Sequence, residues 1–285
     1  MFDTFRSRAA AALAVGALLG ATQPAHAQTW RTVTSARQRG AEKALAVHVQ
    51  YGAGHLTVSP ASAGLLYRFE MRYDEDKVRP LTEYSAASGT LRLGMEQRDR
   101  EGIRGIKRES RAAVSLSPEV PTALRLEFGA GDADLDLGGL SLSDVDISTG
   151  ASETRISFGA PNRIAARRVK MAAGAASLNV SGLGNTGAPR FEFEGGMGHT
   201  TLDFGGRWTH SASATVEMGV GSVTLRLPRA LGVRVTKDSF LSSFDGAGMV
   251  KRGDAWYSRN WATAPYKLTV DIDAALGSID VVWID

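Results

Sequence analysis

Three aspartates alternate with apolar residues in the segment LEFGAGDADLDLGG, which spans residues 126–139. Asp132, Asp134 and Asp136 would lie on one face of a β-strand, because side chains two residues apart point the same way. Acidic, glycine-rich segments of this kind can bind calcium, but calcium takes about six to eight oxygen ligands, more than one strand supplies. The pattern returns after about 22 residues without matching carboxylates, so we interpret the aspartates as a solvated outer face.

No other motif predicts a metal, phosphate or nucleophile site. The glycine-rich segment lacks the lysine and hydroxyl of a phosphate-binding loop, and no helical pattern follows it. The histidines show no HExxH or H-x-H spacing and the chain has no cysteine, so no zinc site is expected at His48, His55, His199 or His210. The nucleophile elbow G-x-S-x-G is also absent. The sequence therefore predicts no catalytic, cofactor-binding or metal-binding residue.

A carbohydrate-active enzyme is one alternative, because repetitive β-folds host polysaccharide lyases and hydrolases. Such enzymes need closely placed carboxylates in a groove. Outward-pointing residues such as Glu153, Arg155, Asp203 and Arg226 could form one, but nothing in the sequence selects them over other surface residues.

A repeated unit with a central glycine runs through most of the chain. Aligned copies place this anchor at Gly54, Gly131, Ser152, Gly174, Gly198, Gly221 and Gly277. Four residues after it the column is apolar: Val58, Leu135, Ile156, Leu178, Leu202, Leu225 and Val281. Five residues before it the column is apolar again: Val49, Leu126, Ile147, Val169, Phe193, Val216 and Ile272.

Apolar and polar residues alternate on both sides of each anchor, which is the pattern of strands with one buried face. Each unit is then a strand, a structural glycine turn, a second strand and a returning loop. We predict an all-β chain whose main part is a parallel β-solenoid with rungs of about 22 residues. An antiparallel β-sandwich is the alternative, because alternation alone does not distinguish the two.

Residues 28–120 differ from the repeat and predict a small antiparallel β domain ahead of the solenoid at 121–285. The segment LLYRFEMRYDEDKVRP alternates, with Leu66, Phe69, Met71 and Tyr73 as core candidates. Such a domain would cap one end of the solenoid, whose open backbone edge otherwise invites aggregation.

A degenerate rung and an insertion separate Gly221 from Gly277. Val233, Val235 and Phe244 indicate a rung without an anchor glycine, followed by an insertion near residues 245–267. The insertion concentrates aromatic residues that could bind a partner or a sugar, or could seal the flank of the solenoid: Trp256, Tyr257, Trp261 and Tyr266.

The first 27 residues have the features of a secretory signal peptide: a basic start, an apolar run and an A-H-A ending, with cleavage near Ala27. No later segment is apolar enough to span a bilayer, so we expect an exported, periplasmic or extracellular protein. After cleavage 31 basic residues face 29 acidic residues, a balance that makes nucleic acid an unexpected partner.

Three segments resemble known families. SLSPEVPTALRLEFGAGDADLDLGGLSLSDVDISTGAS and the ending GDAWYSRNWATAPYKLTVDIDAALGSIDVVW resemble LiaF-like cell-wall-active-antibiotic-response proteins, and GLLYRFEMRYDEDKVRPLTEYSAASGTLRLG resembles the toast-rack N-terminal domain. The resemblance implies β-rich extracytoplasmic domains without known catalysis. LiaF itself is a membrane protein that restrains an envelope-stress histidine kinase. This chain carries a signal peptide instead, so the resemblance implies the fold and the envelope setting, not the kinase partner.

Together these features predict a non-enzymatic structural or interaction protein of the cell envelope, which could be linked to envelope stress. Its partner would be an envelope protein or a glycan, and it could also self-associate through an end of the solenoid. A surface adhesin or glycan-binding module is the alternative, for which the aromatic insertion is the discriminating feature.

Overall fold

The computed structural model describes residues 29–98 and 109–285. The predicted signal peptide at 1–27 lies outside these residues.

The described residues form one sheet of fifteen strands, together with a short 3-10 helix at Leu183–Thr186. The strands are β1 (Trp30–Gln38), β2 (Leu45–Pro60), β3 (Leu65–Asp74), β4 (Val78–Ser85), β5 (Thr90–Gln97), β6 (Arg111–Leu116), β7 (Thr122–Asp136), β8 (Leu142–Ser157), β9 (Val169–Ser181), β10 (Arg190–Asp203), β11 (Ala212–Pro228), β12 (Gly232–Asp245), β13 (Met249–Arg252), β14 (Ala255–Ser258) and β15 (Lys267–Ile284). Within the described ranges, no helix has the length and apolar character needed to cross a bilayer.

Long strands stack in parallel as the rungs of a solenoid, in the order β2, β7, β8, β9, β10, β11, β15 and β12. Each neighbouring pair in this stack is parallel and in register over most of its length. The predicted parallel β-solenoid is therefore confirmed, and the parallel pairing excludes the antiparallel sandwich.

Each rung bends at its anchor position, so that its two limbs face each other across one hydrophobic core. Leu126 before the bend and Leu135 after it are both buried. Phe191 and Phe204, from opposite limbs of β10 and its following loop, meet edge to face with ring centroids 5.6 Å apart. The two apolar columns that the sequence shows thus supply the two walls of the core.

The anchor of β9 is Ala176 and not Gly174, which corrects one predicted turn glycine. The pairing of Ala176 with Gly198 fixes this register, and Gly174 lacks the positive φ of the other predicted turn glycines. With Ala176 as the anchor, Leu178 lies two residues after it and not four, and Val169 lies seven residues before it and not five. Because side chains alternate with a period of two, a slip of two residues keeps every apolar residue on the buried face and leaves the sequence pattern intact.

The other five predicted turn glycines do occupy the bends, with φ between 115° and 144°: Gly54, Gly131, Gly198, Gly221 and Gly277. At Gly221 a Cβ atom would overlap the carbonyl oxygen of Gly198 on the preceding rung. The bend therefore requires glycine for two reasons, the backbone conformation and the close approach of the next rung.

The N-terminal strands cover the first rung. The first limb of β2 pairs with β5, which forms a hairpin with β4. Its second limb pairs with β6, and β3 and β1 continue that side in antiparallel fashion. The sheet is thus continuous across residue 120, and β2, β5 and β6 pair in parallel within the segment predicted to be antiparallel. Three of its core candidates, Leu66, Phe69 and Met71, are fully buried.

At the opposite end the rungs do not follow chain order. The C-terminal strand β15 lies between β11 and β12, so the degenerate rung is the last of the stack. Ser242 occupies its anchor position, opposite Gly277. The insertion forms the hairpin β13–β14, which adds to the first limb of β12 as an antiparallel edge.

Candidate interaction surfaces

The predicted calcium segment lies on the outer face of the limb that follows the bend. Asp132 and Asp136 are exposed and Asp134 is half-buried, while Leu135 between them is in the core. Arg155 Nη1 donates to Asp134 Oδ1 at 3.3 Å and also pairs with Glu153. The pKa of Arg155 is raised by the hydrogen bond to Asp134 and by the charge of Glu153. These residues form an ion-paired surface, and no group of three His, Asp or Glu side chains able to hold a metal ion occurs in the described part of the chain.

A shallow groove of about 560 Å³ crosses the same face. It brings together three of the four residues considered for a carbohydrate-active site, namely Arg155, Asp203 and Arg226. Arg226 Nε lies 3.4 Å from Asp203 Oδ2. Each of these guanidinium groups thus faces a carboxylate, Arg155 that of Asp134 and Arg226 that of Asp203. The arrangement is a network of surface ion pairs.

Of the four histidines in the described residues, His48 and His55 lie on the two limbs of β2, His199 lies on β10, and His210 lies in the loop before β11. His48 Nε2 is 3.3 Å from Glu127, His55 Nε2 is 3.9 Å from Asp134, and His199 Nδ1 is 2.6 Å from the Ser222 hydroxyl. His210 bonds the adjacent Thr209. They do not converge on a common centre.

The aromatic residues of the insertion divide into two groups. Trp256 packs against the core, with its ring 4.6 Å from that of Phe244, and Tyr266 also contacts the core. Tyr257 and Trp261 stack edge to face at 5.6 Å, outside that core cluster. The insertion therefore seals the end of the solenoid with one pair and leaves the second pair half-buried at its surface.

We predict that Trp256→Ala lowers the free energy of unfolding by about 2 kcal/mol, because a half-buried ring is removed from the core. Trp261→Ala should cost less than about 1 kcal/mol, since its contacts are with Tyr257 and the Lys267 amine at the surface. Urea unfolding of both variants measures the difference. Equal losses would show that the two rings have the same structural role.

Three buried hydroxyls lie at or beside the bend without hydrogen-bond partners among the described residues, those of Tyr51, Thr149 and Ser242. Tyr51 is 1% exposed and its ring stacks on Phe128 at 6.2 Å. Burial raises the pKa of the Tyr51 phenol. A buried hydroxyl without a partner lowers the free energy of unfolding, because it has lost its hydrogen bonds to water and gains none in the folded state.

Tyr51→Phe should therefore stabilise the protein by about 1 kcal/mol. Tyr67→Phe is the matched control, because the Tyr67 hydroxyl is hydrogen-bonded to Ser35 and its loss should destabilise. Because burial raises the folded-state pKa, ionisation of the phenol favours the unfolded state, so the wild type loses stability as the pH rises above the unfolded pKa of about 10. Urea unfolding from pH 7 to 11 should show a smaller loss of unfolding free energy at alkaline pH in Tyr51→Phe than in the wild type. If Tyr51→Phe is less stable than the wild type at pH 7, the hydroxyl is not unpaired.

A second groove, of about 500 Å³, runs along the solenoid just before the bend. Its floor is a glycine column two residues ahead of the anchor, where Gly174, Gly196 and Gly219 are aligned. A Cβ at Gly196 would lie 2.6 Å from the Gly174 carbonyl oxygen, so the close approach of successive rungs explains this column. Gly174 thus belongs to the floor of a groove and not to the line of bends.

Exposed large hydrophobic residues are concentrated beside this groove. Of the six in the described residues, four occupy one column, directly before the anchor on the last four rungs: Met197, Val220, Leu276 and Leu241. We call these four residues the apolar ladder. Alanine occupies the same column on the first four rungs: Ala53, Ala130, Ala151 and Ala175. The apolar ladder is therefore a feature of one half of the solenoid.

Acidic residues stand three positions ahead of each member of the apolar ladder. Glu194, Glu217, Asp273 and Asp238 are exposed and adjacent on successive rungs, and we call them the carboxylate ladder. Both ladders were missed from the sequence. The signal was present, since each of the last four rungs reads acidic-x-x-apolar at the same register, but only the structure shows which of these side chains are exposed and that β12 joins the column with Ser242 as its anchor.

Comparison with known proteins identifies the family. The family profile described as the N-terminal domain of toast_rack, DUF2154, matches residues 24–180 and 166–226. The chain belongs to this toast-rack family. The overlap of the two matches agrees with a repeating unit, and the match ends at residue 226, so the LiaF-like nature of the toast-rack protein's C-terminal segment stays a prediction.

A solved structure shares the fold of this toast-rack protein. A protein of Clostridium sporogenes with a proposed cell-adhesion role aligns with a TM-score of 0.50 and 14% identity, over 90% of this chain and 100% of that one. A proposed adhesin of Bacteroides fragilis aligns with a TM-score of 0.41 and 11% identity, over 88% and 97% of the two chains. No curated protein matches.

Proposed function

We propose that the chain is a non-catalytic interaction protein of the cell envelope, which binds a macromolecular partner through the half of the solenoid that carries the apolar ladder. The apolar ladder is the observation that supports this proposal. Contiguous exposed apolar side chains cost solvation free energy, and proteins keep them where a partner covers them. The extracytoplasmic setting rests on the predicted signal peptide and on the resemblance to LiaF-like proteins, and a link to envelope stress would follow from that resemblance.

A surface adhesin or glycan-binding module is the second candidate. It is favoured by Tyr257 and Trp261, whose half-buried rings at the end of the solenoid could stack on a sugar. Fold likeness to proteins with a proposed adhesion role is compatible with it.

Co-sedimentation with envelope fractions from cells that produce the protein tests the proposal. We expect saturable binding that Val220→Ser with Leu276→Ser weakens at least tenfold, whereas Tyr257→Ala with Trp261→Ala leaves it unchanged. The opposite pattern would favour the glycan-binding candidate. Absence of saturable binding would overturn the interaction function, as would turnover of an envelope glycan by the purified protein.

A further inference from the structure

We infer that the groove between the carboxylate ladder and the apolar ladder binds an extended segment of a partner protein, in which lysine or arginine alternates with apolar residues. This inference rests on the proposed interaction function and specifies the chemistry of the partner. Four observations carry it: the shape of the groove, the different chemistry of the two ladders, the unpaired charge of the carboxylate ladder and the restriction of both ladders to one half of the solenoid.

The groove admits a polypeptide backbone. Gly174, Gly196 and Gly219 form its floor on three rungs, and Ala275 continues the floor on β15, so the space of about 500 Å³ lies above small residues. Glu217 and Asp273 line one wall. Val220 and Leu276 follow three residues later on the same rungs, on the other side of this floor.

An extended segment matches two walls of different chemistry. In a β-strand successive side chains point to opposite sides, so alternate residues of a bound segment would face the carboxylate ladder and the apolar ladder. Four rungs about 4.8 Å apart span roughly 14 Å, the length of four to five extended residues. A segment that alternates basic and apolar residues would therefore present two or three side chains to each wall, about 6.7 Å apart, and would contact both walls at once.

The carboxylate ladder has little internal compensation. Glu194 pairs with Lys170 Nζ at 2.7 Å, but Glu217, Asp273 and Asp238 form no ion pair among the residues the structure describes. Like charges facing each other on neighbouring strands destabilise a sheet, so a cationic partner relieves repulsion while it binds. The same charge repels an anionic lipid surface, which disfavours a membrane as the occupant.

A buried, unpaired polar group lies at one end of this groove. Thr149 lines it, is 7% exposed, and its hydroxyl has no hydrogen-bond partner in the described residues. Thr149 lies on β8, two rungs away from β10, where both ladders begin. A partner segment that extends beyond the ladders along the glycine floor would bring peptide N–H and C=O groups to this position.

The N-terminal rungs provide an internal contrast. Glu127 occupies the column of the carboxylate ladder on β7, but it accepts hydrogen bonds from Gln50 at 3.1 Å and Arg125 at 3.0 Å. These bonds lower the pKa of Glu127, and the bond from Gln50 has the largest effect. The adjacent apolar position there is Ala130. Among the described residues, only the last four rungs place a carboxylate and a large apolar side chain in these two columns, and on three of them the carboxylate forms no ion pair.

Fluorescence anisotropy with labelled hexapeptides tests the inference. The probe alternates lysine and leucine, and the control peptide has the same composition with three leucines followed by three lysines. We expect the alternating peptide to bind the full chain at least tenfold more tightly than the block peptide, with an affinity that falls as salt increases. Equal affinities would overturn the inference.

Paired variants locate the binding. Glu217→Gln with Asp273→Asn should lower the affinity for the alternating peptide at least tenfold and reduce the salt dependence of that affinity. Val220→Ser with Leu276→Ser should lower the affinity at least tenfold without changing its salt dependence. Asp132→Asn with Val282→Ser removes an exposed charge and an exposed apolar residue from the other limb, and should leave binding unchanged. In the wild type, amide chemical-shift changes should centre on Gly196 and Gly219, a readout that requires no variant to fold. Unchanged binding in both ladder variants, or shifts elsewhere, would overturn the inference.

The outcomes separate this inference from the proposed function. If envelope binding persists in the apolar-ladder variant, the interaction function stands and this groove is not its site. If the peptide binds as expected but no envelope fraction does, the groove chemistry stands and the envelope function fails. Concentration-dependent dimers that the alternating peptide does not dissociate, and that the apolar-ladder variant abolishes, would assign the surface to a second copy and overturn the inference.

Discussion

Gly221→Ala should lower the free energy of unfolding by about 3–5 kcal/mol, one of the largest effects expected of any single substitution in the solenoid. The backbone at Gly221 has φ 144°, a conformation that residues with a Cβ rarely adopt, at a cost of about 1–3 kcal/mol. The new methyl group would also overlap the Gly198 carbonyl oxygen. Relief requires moving one rung against the next, which disturbs the register of the stack.

Two matched glycines separate these contributions. Gly253 has φ 61° in the β13–β14 turn, and a methyl group added there would meet no atom within 4 Å, so Gly253→Ala should cost only about 1 kcal/mol for the conformation. Gly174 has no positive φ, and its Cβ would lie 3.2 Å from the Gly150 oxygen, so Gly174→Ala should also cost about 1 kcal/mol. Urea unfolding compares the three variants. Equal losses at Gly221 and Gly174 would contradict the assignment of only one of them to the bends.

The parallel solenoid could be predicted because its physical cause is local and repeated. Each rung buries one face, and the buried positions return with the same spacing from the bend, as Leu126 and Leu135 show. Stacking in register is then the arrangement that joins those faces into one core. The polar face of Asp132, Asp134 and Asp136 follows from the same alternation.

The position of the bend on β9 could not be predicted from the same information. A glycine stands at position 174 and an alanine at 176, and the preference of glycine for turns favours the first. Both registers bury identical faces, so hydrophobic patterning does not distinguish them. Only pairing with the neighbouring rungs, where Ala176 lies opposite Gly198, fixes the choice.

The two ladders show why the candidate site was harder to predict than the fold. A single exposed leucine or glutamate is ordinary on a protein surface, and Glu217 or Leu276 alone indicates nothing. Their significance arises from adjacency across rungs separated by up to 56 residues in the chain, as for Gly221 and Gly277. The order of the last rungs, with β15 between β11 and β12, is what places Leu276 beside Val220.

That rung order leads to the second large effect. Deleting residues 267–285 removes β15, and β12 then loses the strand it pairs with along its whole length. The fully buried Leu268, Val270 and Ile279 leave the core at the same time. Since each rung contacts only its neighbours, we expect β12, β13 and β14 to lose protection from hydrogen exchange by at least a hundredfold, while β7 to β9 keep most of theirs.

Hydrogen exchange followed by mass spectrometry measures this effect strand by strand. If the rungs followed chain order, β12 would keep β11 as its partner and would stay protected after the deletion. Uniform loss of protection over all rungs would instead show that the solenoid unfolds as one cooperative unit.

Cross-linking tests the same order in the full-length chain, and the absence of native cysteine makes the result unambiguous. Thr224 of β11 is aligned with Asp280 of β15, which is aligned with Asp245 of β12. Adjacent rungs are about 4.8 Å apart, within reach of a disulfide, whereas alternate rungs are about 9.6 Å apart and beyond it. Thr224→Cys with Asp280→Cys should therefore bridge on mild oxidation, and Thr224→Cys with Asp245→Cys should not. A bridge in the second pair alone would place β12 directly on β11, which would separate Leu276 from Val220 and dismantle both ladders.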